Sequence, residues 1–312
     1  MIMNRIQSLN LKIRKYKLRR FIMTYNKQLL IQRAQKYNSQ EVVLINKGLY
    51  EYGYFNFAFL DNMLSLIIEV LSNGMIPLVE LENRKDGWTN WTTFFNQPLD
   101  VSSVKEKMIF KKKTGLLSPG FRTPYNKKDL ALWSKIYADF AVLNKETKEY
   151  VDLEYTNLIA NKKVLGVLCR GTDYVQKRPY GHPIQPKVDD VIALAKTKMS
   201  ECGLEYIYLA TEELSIFKQF EREFPNKILV NKRTYYDEIF YKKQCTDIYQ
   251  VQFDRENDIY LKGLEYLSSI WLLSQCDALI AGNCGGSTSA LYLNNGKYRY
   301  WHLFDLGLYG VE

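Results

Sequence analysis

The stretch KVLGVLCRGTD, residues 163–173, decides the fold. Its first seven residues, Lys163 to Cys169, form a short apolar run, the pattern of a strand buried on both faces. The polar group Arg170-Gly171-Thr172-Asp173 then breaks the run. Downstream the chain alternates in type. Pro186 opens a helix whose Val188, Ile192, Ala195 and Met199 share one face, with Gly203 as its end. Tyr206–Ala210 reads as a strand, Glu212–Phe224 as a helix and Ile228–Val230 as another strand. A polar, Tyr-rich stretch (232–258) precedes a helix over 260–275 and the strand Asp277–Ala281. Gly282-Asn283-Cys284-Gly285-Gly286 follows and opens a helix from Ser287 to Leu293. This order predicts a parallel, doubly wound sheet for a domain spanning 161–312.

Upstream, Val42–Ile45 is a short β-branched run, followed by a Gly/Tyr/Asn-rich loop from Asn46 to Asn56. A long apolar helix from Phe57 to Leu71 stops at Asn73-Gly74, and Ile76–Leu81 is the next strand. Residues 82–128 read as loops and short helices, and Leu130 to Ala160 as one helical stretch. A second α/β domain is therefore expected over 39–160. Residues 1–38 stand apart as a basic amphipathic tail of one or two helices.

Charge separates that tail from the body. The 312 residues carry 43 Lys and Arg against 34 Asp and Glu, a net charge of +9. Residues 1–36 hold ten of the basic residues and no acid, so the rest has 33 against 34 and is neutral. A neutral body excludes a nucleic-acid-binding one, which needs basic residues over a face. The tail is left free to touch an anionic membrane or another polyanion. A 46% hydrophobic content excludes wholesale disorder. Five cysteines without CxxC spacing and only two histidines argue against a zinc site, so no metal is expected. A reducing, cytoplasmic compartment is the expectation, peripheral at most, because no apolar run approaches the roughly 20 residues that span a bilayer and nothing resembles a signal peptide.

Three loops follow strands of the second domain, where ligands bind in open parallel sheets. Arg170, directly after a buried strand, offers a planar fork suited to phosphate; Asp173 is placed to orient it or to bind a substrate hydroxyl. A plain strand-end ion pair between the two is the competing reading. Glu212 and Glu213 follow the strand YIYLA, where acids at a helix start ordinarily offset the dipole. Gly285, Gly286, Ser287 and Thr288 begin a helix whose N–H groups suit an anion, with a Ser-capped turn as the alternative. The sequence is neither a Walker A loop nor G-x-G-x-x-G. His182 lies in the loop after Arg170, near the same strand end. No Asp-x-Asp occurs, which weakens any scheme with a metal-held sugar nucleotide.

The run Gly166-Val167-Leu168-Cys169-Arg170-Gly171-Thr172-Asp173, with His182-Pro183-Ile184 nine residues on, resembles the H-x-R-R-T-D…H-P-I segment of α-1,6-fucosyltransferases. The likeness continues through Tyr208-Leu209-Ala210-Thr211-Glu212-Glu213 (YLATDD in the family) and Ile270–Ala281, collinear over about 163–293. In the first half, Asn90 to Pro98 looks like a segment of bacterial surface-polysaccharide glycosyltransferases. The resemblance implies a GT-B-like fold of two Rossmann-like domains facing across a cleft, and an inverting transfer, usually of fucose from GDP-fucose, without metal or other cofactor. It implies that Arg170 holds the donor β-phosphate and that Asp173 supports the sugar loop. Gly171, Thr172, Gly285, Gly286, Ser287 and Thr288 would then line the nucleotide sugar. Four positions depart from the family. Leu168 stands for its first His, Gly171 for its second Arg, Arg178 for a proposed catalytic Glu, and Ser269 for an Asp that recognises guanine. With Arg178 unable to accept a proton, Glu212 is the favoured base and His182 the second choice. The acceptor would be a glycan or lipid-linked glycan. Two other readings stay open: a same-fold transferase with another nucleotide sugar, and a non-catalytic membrane-associated protein with a vestigial nucleotide site.

Overall fold

The apolar run at 164–168 is the central strand of a five-stranded sheet, and a second, smaller sheet lies in the first half of the chain. The computed structural model describes residues 2–36, 41–45, 55–80, 90–101, 108–109, 115–117 and 127–311. The chain divides into two compact units, Met1–Glu51 with Ala58–Lys145, and Tyr52–Phe57 with Glu146–Glu312.

The first unit contains helices α1 (Ile2–Thr24) and α2 (Lys27–Gln35), strand β1 (Val42–Ile45) and helix α3 (Phe57–Ser72, of which Phe57 belongs to the second unit). Strands β2 (Ile76–Val79) and β3 (Met108–Ile109) and helix α4 (Lys127–Phe140) follow. The strands are parallel, in the order β2-β1-β3. Asn26 breaks the N-terminal helix in two, because its Oδ1 accepts the Gln28 and Leu29 N–H groups and so caps α2. Helix α3 is buried on nearly every side. Its polar Asn62, Ser65 and Glu69 recur at helical spacing and accept the N–H groups of Gly115, Leu117 and Leu116. Asp61 accepts from the Tyr137 hydroxyl at 2.5 Å. Burial pushes the Asp61 carboxyl up to about 7, against the opposing effect of that hydrogen bond.

The second unit runs α5 (Lys145–Leu158, of which Lys145 belongs to the first unit), β4 (Val164–Leu168), α6 (Thr172–Lys177), α7 (Val188–Cys202), β5 (Tyr206–Ala210) and α8 (Leu214–Glu223). It continues with β6 (Ile228–Leu229), α9 (Asp237–Lys242), α10 (Asp258–Leu273), β7 (Ala278–Gly282), α11 (Gly285–Asn294) and β8 (Tyr300–Phe304). All five strands are parallel, in the order β6-β5-β4-β7-β8. One face of the sheet packs Leu165, Val167, Ile207, Leu209 and Ile280 against Val191, Ala195 and Met199 of α7 and Ile216 and Phe220 of α8. At about 1.5–3 kcal/mol for each large apolar side chain removed from water, this layer holds the strand ends rigid.

Several sequence expectations change. The helical stretch 130–160 is two helices parted by residues 141–144, and the division between the units falls at 145/146, where 160/161 was expected. Residues 1–38 are not a domain of their own. Leu18 and Ile22 are buried, Arg19 pairs with Asp129 of α4 at 2.6 Å, and Tyr25 stacks on Phe140, so the helices dock on the first unit. Glu212 and Glu213 precede α8 and are not its first-turn acids. Strand β8 has no counterpart among the sequence expectations, because its half-exposed Tyr300, Trp301 and His302 give no apolar run. Much of the expected loop region 82–128 and of the 46–56 loop lies outside the described residues.

Candidate functional site

The strand order of the five-stranded sheet reverses between β4 and β7. That switch point is where two loops diverge from the carboxyl end of an open sheet and leave room for a ligand. The loop after β4 carries Arg170, and the loop after β7 carries the glycines that open α11. Leu168 pairs with Ala210 on one side and with Ala281 on the other, so the three loops singled out in the sequence leave the sheet at one level.

Arg170 is held from several sides. Its Nη2 donates to Asp173 Oδ1 at 3.0 Å, its Nε lies 3.7 Å from Glu212 Oε1, and its Cζ sits 4.1 Å from the Tyr174 ring centre. Burial works against the charge, but Glu212 and Asp173 outweigh it and keep the guanidinium protonated. The strand-end ion pair weighed in the sequence is therefore present, and it is part of a larger cluster.

The two glutamates shape the backbone of that cluster. Glu212 Oε1 accepts from Gly171 N–H and from the Thr172 hydroxyl, each at 3.0 Å. Glu213 Oε2 accepts the Thr172 N–H at 2.8 Å. Together they hold the buried Thr172 at φ +44, a left-handed conformation that costs a β-branched residue on the order of 1–3 kcal/mol. The approach demands glycine at 171: a Cβ there would lie 1.9 Å from Glu213 Oε2. Burial, with help from the Glu212 and Glu213 charges, pushes the neighbouring Cys169 thiol up to about 12, which leaves it unreactive.

At the β7 end, Ser287 is fully buried and spent on the loop. Its Oγ takes the Cys284 N–H at 3.0 Å and donates to the Cys284 carbonyl at 2.9 Å, the same carbonyl that accepts from Thr288 Oγ1. The hydroxyls expected to face a ligand thus act as caps, which leaves the first-turn N–H groups of Gly285 and Gly286 as donors at this helix start. A Cβ on Gly286 would meet Tyr266 Oη and Ile270 Cδ1 at 3.0 Å, so the backbone there is pressed against α10.

Four residues beyond the expected set complete the surroundings. Tyr174 covers the Arg170 guanidinium and meets the His182 ring edge-on, with centroids 5.3 Å apart. Tyr266 is half-buried; burial raises its phenol pKa, reinforced by Cys284 and opposed by Arg170. Gln185 Nε2 donates to the Asn283 carbonyl at 2.9 Å, tying the loop before α7 to the loop after β7. Asn231, after β6, donates to Ser268 Oγ and the Glu265 carbonyl. Only Tyr174 had a signal in the sequence, its place four residues after Arg170; the others become neighbours through packing alone.

The remaining expected residues divide. His182 comes to the cluster, and burial first, then the Arg170 charge, lowers its pKa below 6.5, so the ring is neutral at pH 7. Ser269 is buried within α10, about one turn further along the helix than Tyr266. Arg178 is exposed, in a left-handed conformation at the end of α6. Among the described residues no three His, Cys, Asp or Glu side chains are grouped as metal ligands, and no helix is long and apolar enough to cross a membrane.

No protein-family model matches the chain, and neither does the sequence of any curated protein. Solved structures do. The NodZ α-1,6-fucosyltransferase soaked with GDP-fucose is 13% identical, with a TM-score of 0.47 over 86% of this chain and 96% of its own. The fucosyltransferase NodZ from Bradyrhizobium gives 12% and 0.41, over 81% of this chain and 90% of its own. POFUT1 in complex with GDP-fucose gives 10% and 0.37, over 66% of this chain and 55% of its own.

Proposed function

We propose that this chain is a metal-independent, inverting glycosyltransferase of GT-B type that takes its sugar from a nucleoside diphosphate, with GDP-fucose as the favoured donor. One observation carries the reading: Arg170 and the Gly285–Gly286 helix start flank the switch point of the five-stranded sheet from its two central strands. A guanidinium and a helix N-terminus are both suited to a diphosphate. The collinear motifs from Gly166 to Ala281 support the same donor class.

In this reading the second unit holds the donor and the first serves the acceptor, a glycan or lipid-linked glycan of a cell-surface polysaccharide. The acceptor oxygen attacks the anomeric carbon from the face opposite the diphosphate. The bond to the phosphate oxygen breaks, and its electron pair leaves with the diphosphate. Arg170 and the α11 N–H groups stabilise that growing charge, an effect worth about 10²–10³ in rate for a single donor. The acceptor proton goes to His182, whose neutral ring has a lone pair at pH 7. Glu212, the base favoured by sequence, is instead committed to Gly171 and Thr172 and acts here as a positioning residue. Asp173 and Glu212 fix the Arg170 fork, and Tyr174 shields it.

A second reading has one observation in its favour. The Arg170 charge is already met by Asp173 and Glu212, as a non-catalytic chain with a vestigial nucleotide site would have it. Thermal shift with GDP, UDP, CMP and dTDP sugars, followed by turnover of whichever binds, separates the two. Stabilisation with turnover that Arg170→Ala abolishes and Arg170→Lys restores poorly supports the transferase, since lysine lacks the bidentate fork. Binding without turnover in the presence of lipid-linked acceptors supports the vestigial site. No stabilisation by any nucleotide refutes both.

A further inference from the structure

Helix α1 carries two apolar faces, and the first unit uses only one. On a helix of about 3.6 residues per turn, Leu18 and Ile22 lie on one side and are buried against the unit. Leu9, Ile13, Tyr16 and Met23 recur at spacings of four, three and seven, which places them together on the opposite side. They are 58%, 43%, 65% and 59% exposed, values that mark an unpartnered stripe, not scattered surface residues. Lys12 and Lys17 border the stripe, and Arg20 lies within it. Among the described residues these three cations have no acidic partner, whereas Arg19, on the docked side, pairs with Asp129.

We propose that the outward face of α1 docks on an anionic lipid surface. Charge complementarity selects this occupant. The first acidic residue of the chain is Glu41, so residues 1–36 carry ten cations and no anion, while the rest of the chain is balanced. The apolar stripe argues for lipid over a nucleic acid or an acidic protein tail, because neither offers the acyl boundary into which Leu9, Ile13 and Met23 can sink. Tyr16 suits the headgroup level, where an aromatic ring with a polar tip is at home. A second copy of the chain could also cover an apolar stripe, but it would set the same basic face against this one, Lys12, Lys17 and Arg20 included. The docked face matters equally: Leu18, Ile22 and the Arg19–Asp129 pair fix α1 to the body, so lipid binding by the outward face would hold the whole protein at the membrane.

The test is sedimentation of the full chain with vesicles of phosphatidylcholine alone and with phosphatidylglycerol added. Wild type is expected to bind only the anionic vesicles, and less as salt rises. Lys12→Gln/Lys17→Gln/Arg20→Gln should weaken binding on the order of a hundredfold, with each charge acting near the surface. Leu9→Ser/Ile13→Ser/Tyr16→Ser/Met23→Ser should lose binding with its circular dichroism and melting temperature unchanged, since these side chains support nothing in the fold. Absence of wild-type binding, or full binding by the serine variant, overturns the proposal. So does a concentration-dependent dimer that the serine variant abolishes, because the stripe would then belong to a second copy. The vesicle assay needs no nucleotide sugar, so its outcome and that of the transferase reading are separable.

Discussion

Replacing Gly171 by alanine probes the arrangement at the switch point directly. The new Cβ would stand 1.9 Å from Glu213 Oε2, 2.9 Å from its Cδ and 3.1 Å from Ile216 Cδ1. The carboxylate must move, and with it goes the charge-assisted hydrogen bond that Thr172 N–H makes to it at 2.8 Å. Such a bond contributes about 1.5–3 kcal/mol, and overpacking adds about 1–3 kcal/mol. A loss of roughly 3 kcal/mol is therefore expected, a fall of roughly 10 °C in melting temperature. The second half of the test is Gly171→Ala in a Glu213→Ala background. There the obstruction is gone, and only the flexible end of Ile216 remains in the way. The two substitutions should then couple by about 2 kcal/mol, measured by urea unfolding of the four proteins. Equal cost of Gly171→Ala in both backgrounds would falsify the assignment of Glu213 as the group that holds the loop. The same series should lower nucleotide-dependent stabilisation in parallel, because Thr172 and Arg170 share that loop.

Three other outcomes are expected. The kcat of the wild type should fall as pH drops through a value below 6.5, since a protonated His182 cannot accept a proton, and His182→Asn should flatten that limb; an unchanged limb assigns the base elsewhere. Asp61 has its folded value raised to about 7, so the stabilising contribution of its proton is complete below about pH 4 and is lost as pH rises through 7. Asp61→Asn keeps an acceptor for Tyr137 and should remove that slope, adding up to about 4 kcal/mol above pH 8 by chemical denaturation; equal pH dependence of the two proteins refutes the shift. Turnover should survive exhaustive chelation; complete loss restored by Mg²⁺ or Mn²⁺ would show that the cationic groups of the switch point do not suffice.

The second unit was legible because its strands are buried on both faces. KVLGVLC, YIYLA and DALIA announce themselves as apolar runs, and the intervening helices carry a clear single face. Strand β8 was missed because its Tyr300, Trp301 and His302 are half-exposed and give no apolar run. The N-terminal helices misled for a different reason. Charge composition marks residues 1–36 as distinct, yet composition is silent about Leu18, Ile22 and the Arg19–Asp129 pair, which join them to the first unit. At the candidate site, residue types marked the loops that leave the sheet at its switch point, but not the hydrogen bonds made inside them. Glu213 looked like a dipole-compensating acid, Glu212 like that or a catalytic base, and Ser287 and Thr288 like ligand contacts. In the structure the two glutamates bond to the loop after β4 and the two hydroxyls close the Cys284 turn.

These bonds follow from the chemistry of a parallel sheet at its switch point. The loop after β4 and the helix start after β7 both leave backbone donors to be satisfied. The chain answers with carboxylates on one side and hydroxyls on the other. Glu212 and Glu213 take the N–H groups of Gly171 and Thr172, and Glu212 with Asp173 also flanks the Arg170 guanidinium. Ser287 and Thr288 close the Cys284 turn, which leaves the Gly285 and Gly286 N–H groups as donors at the head of α11. In the transferase reading, a diphosphate would meet a guanidinium already held from three directions by Asp173, Tyr174 and Glu212. The fork is thus positioned before any ligand arrives, the condition under which a fixed charge stabilises a leaving group without reorganising.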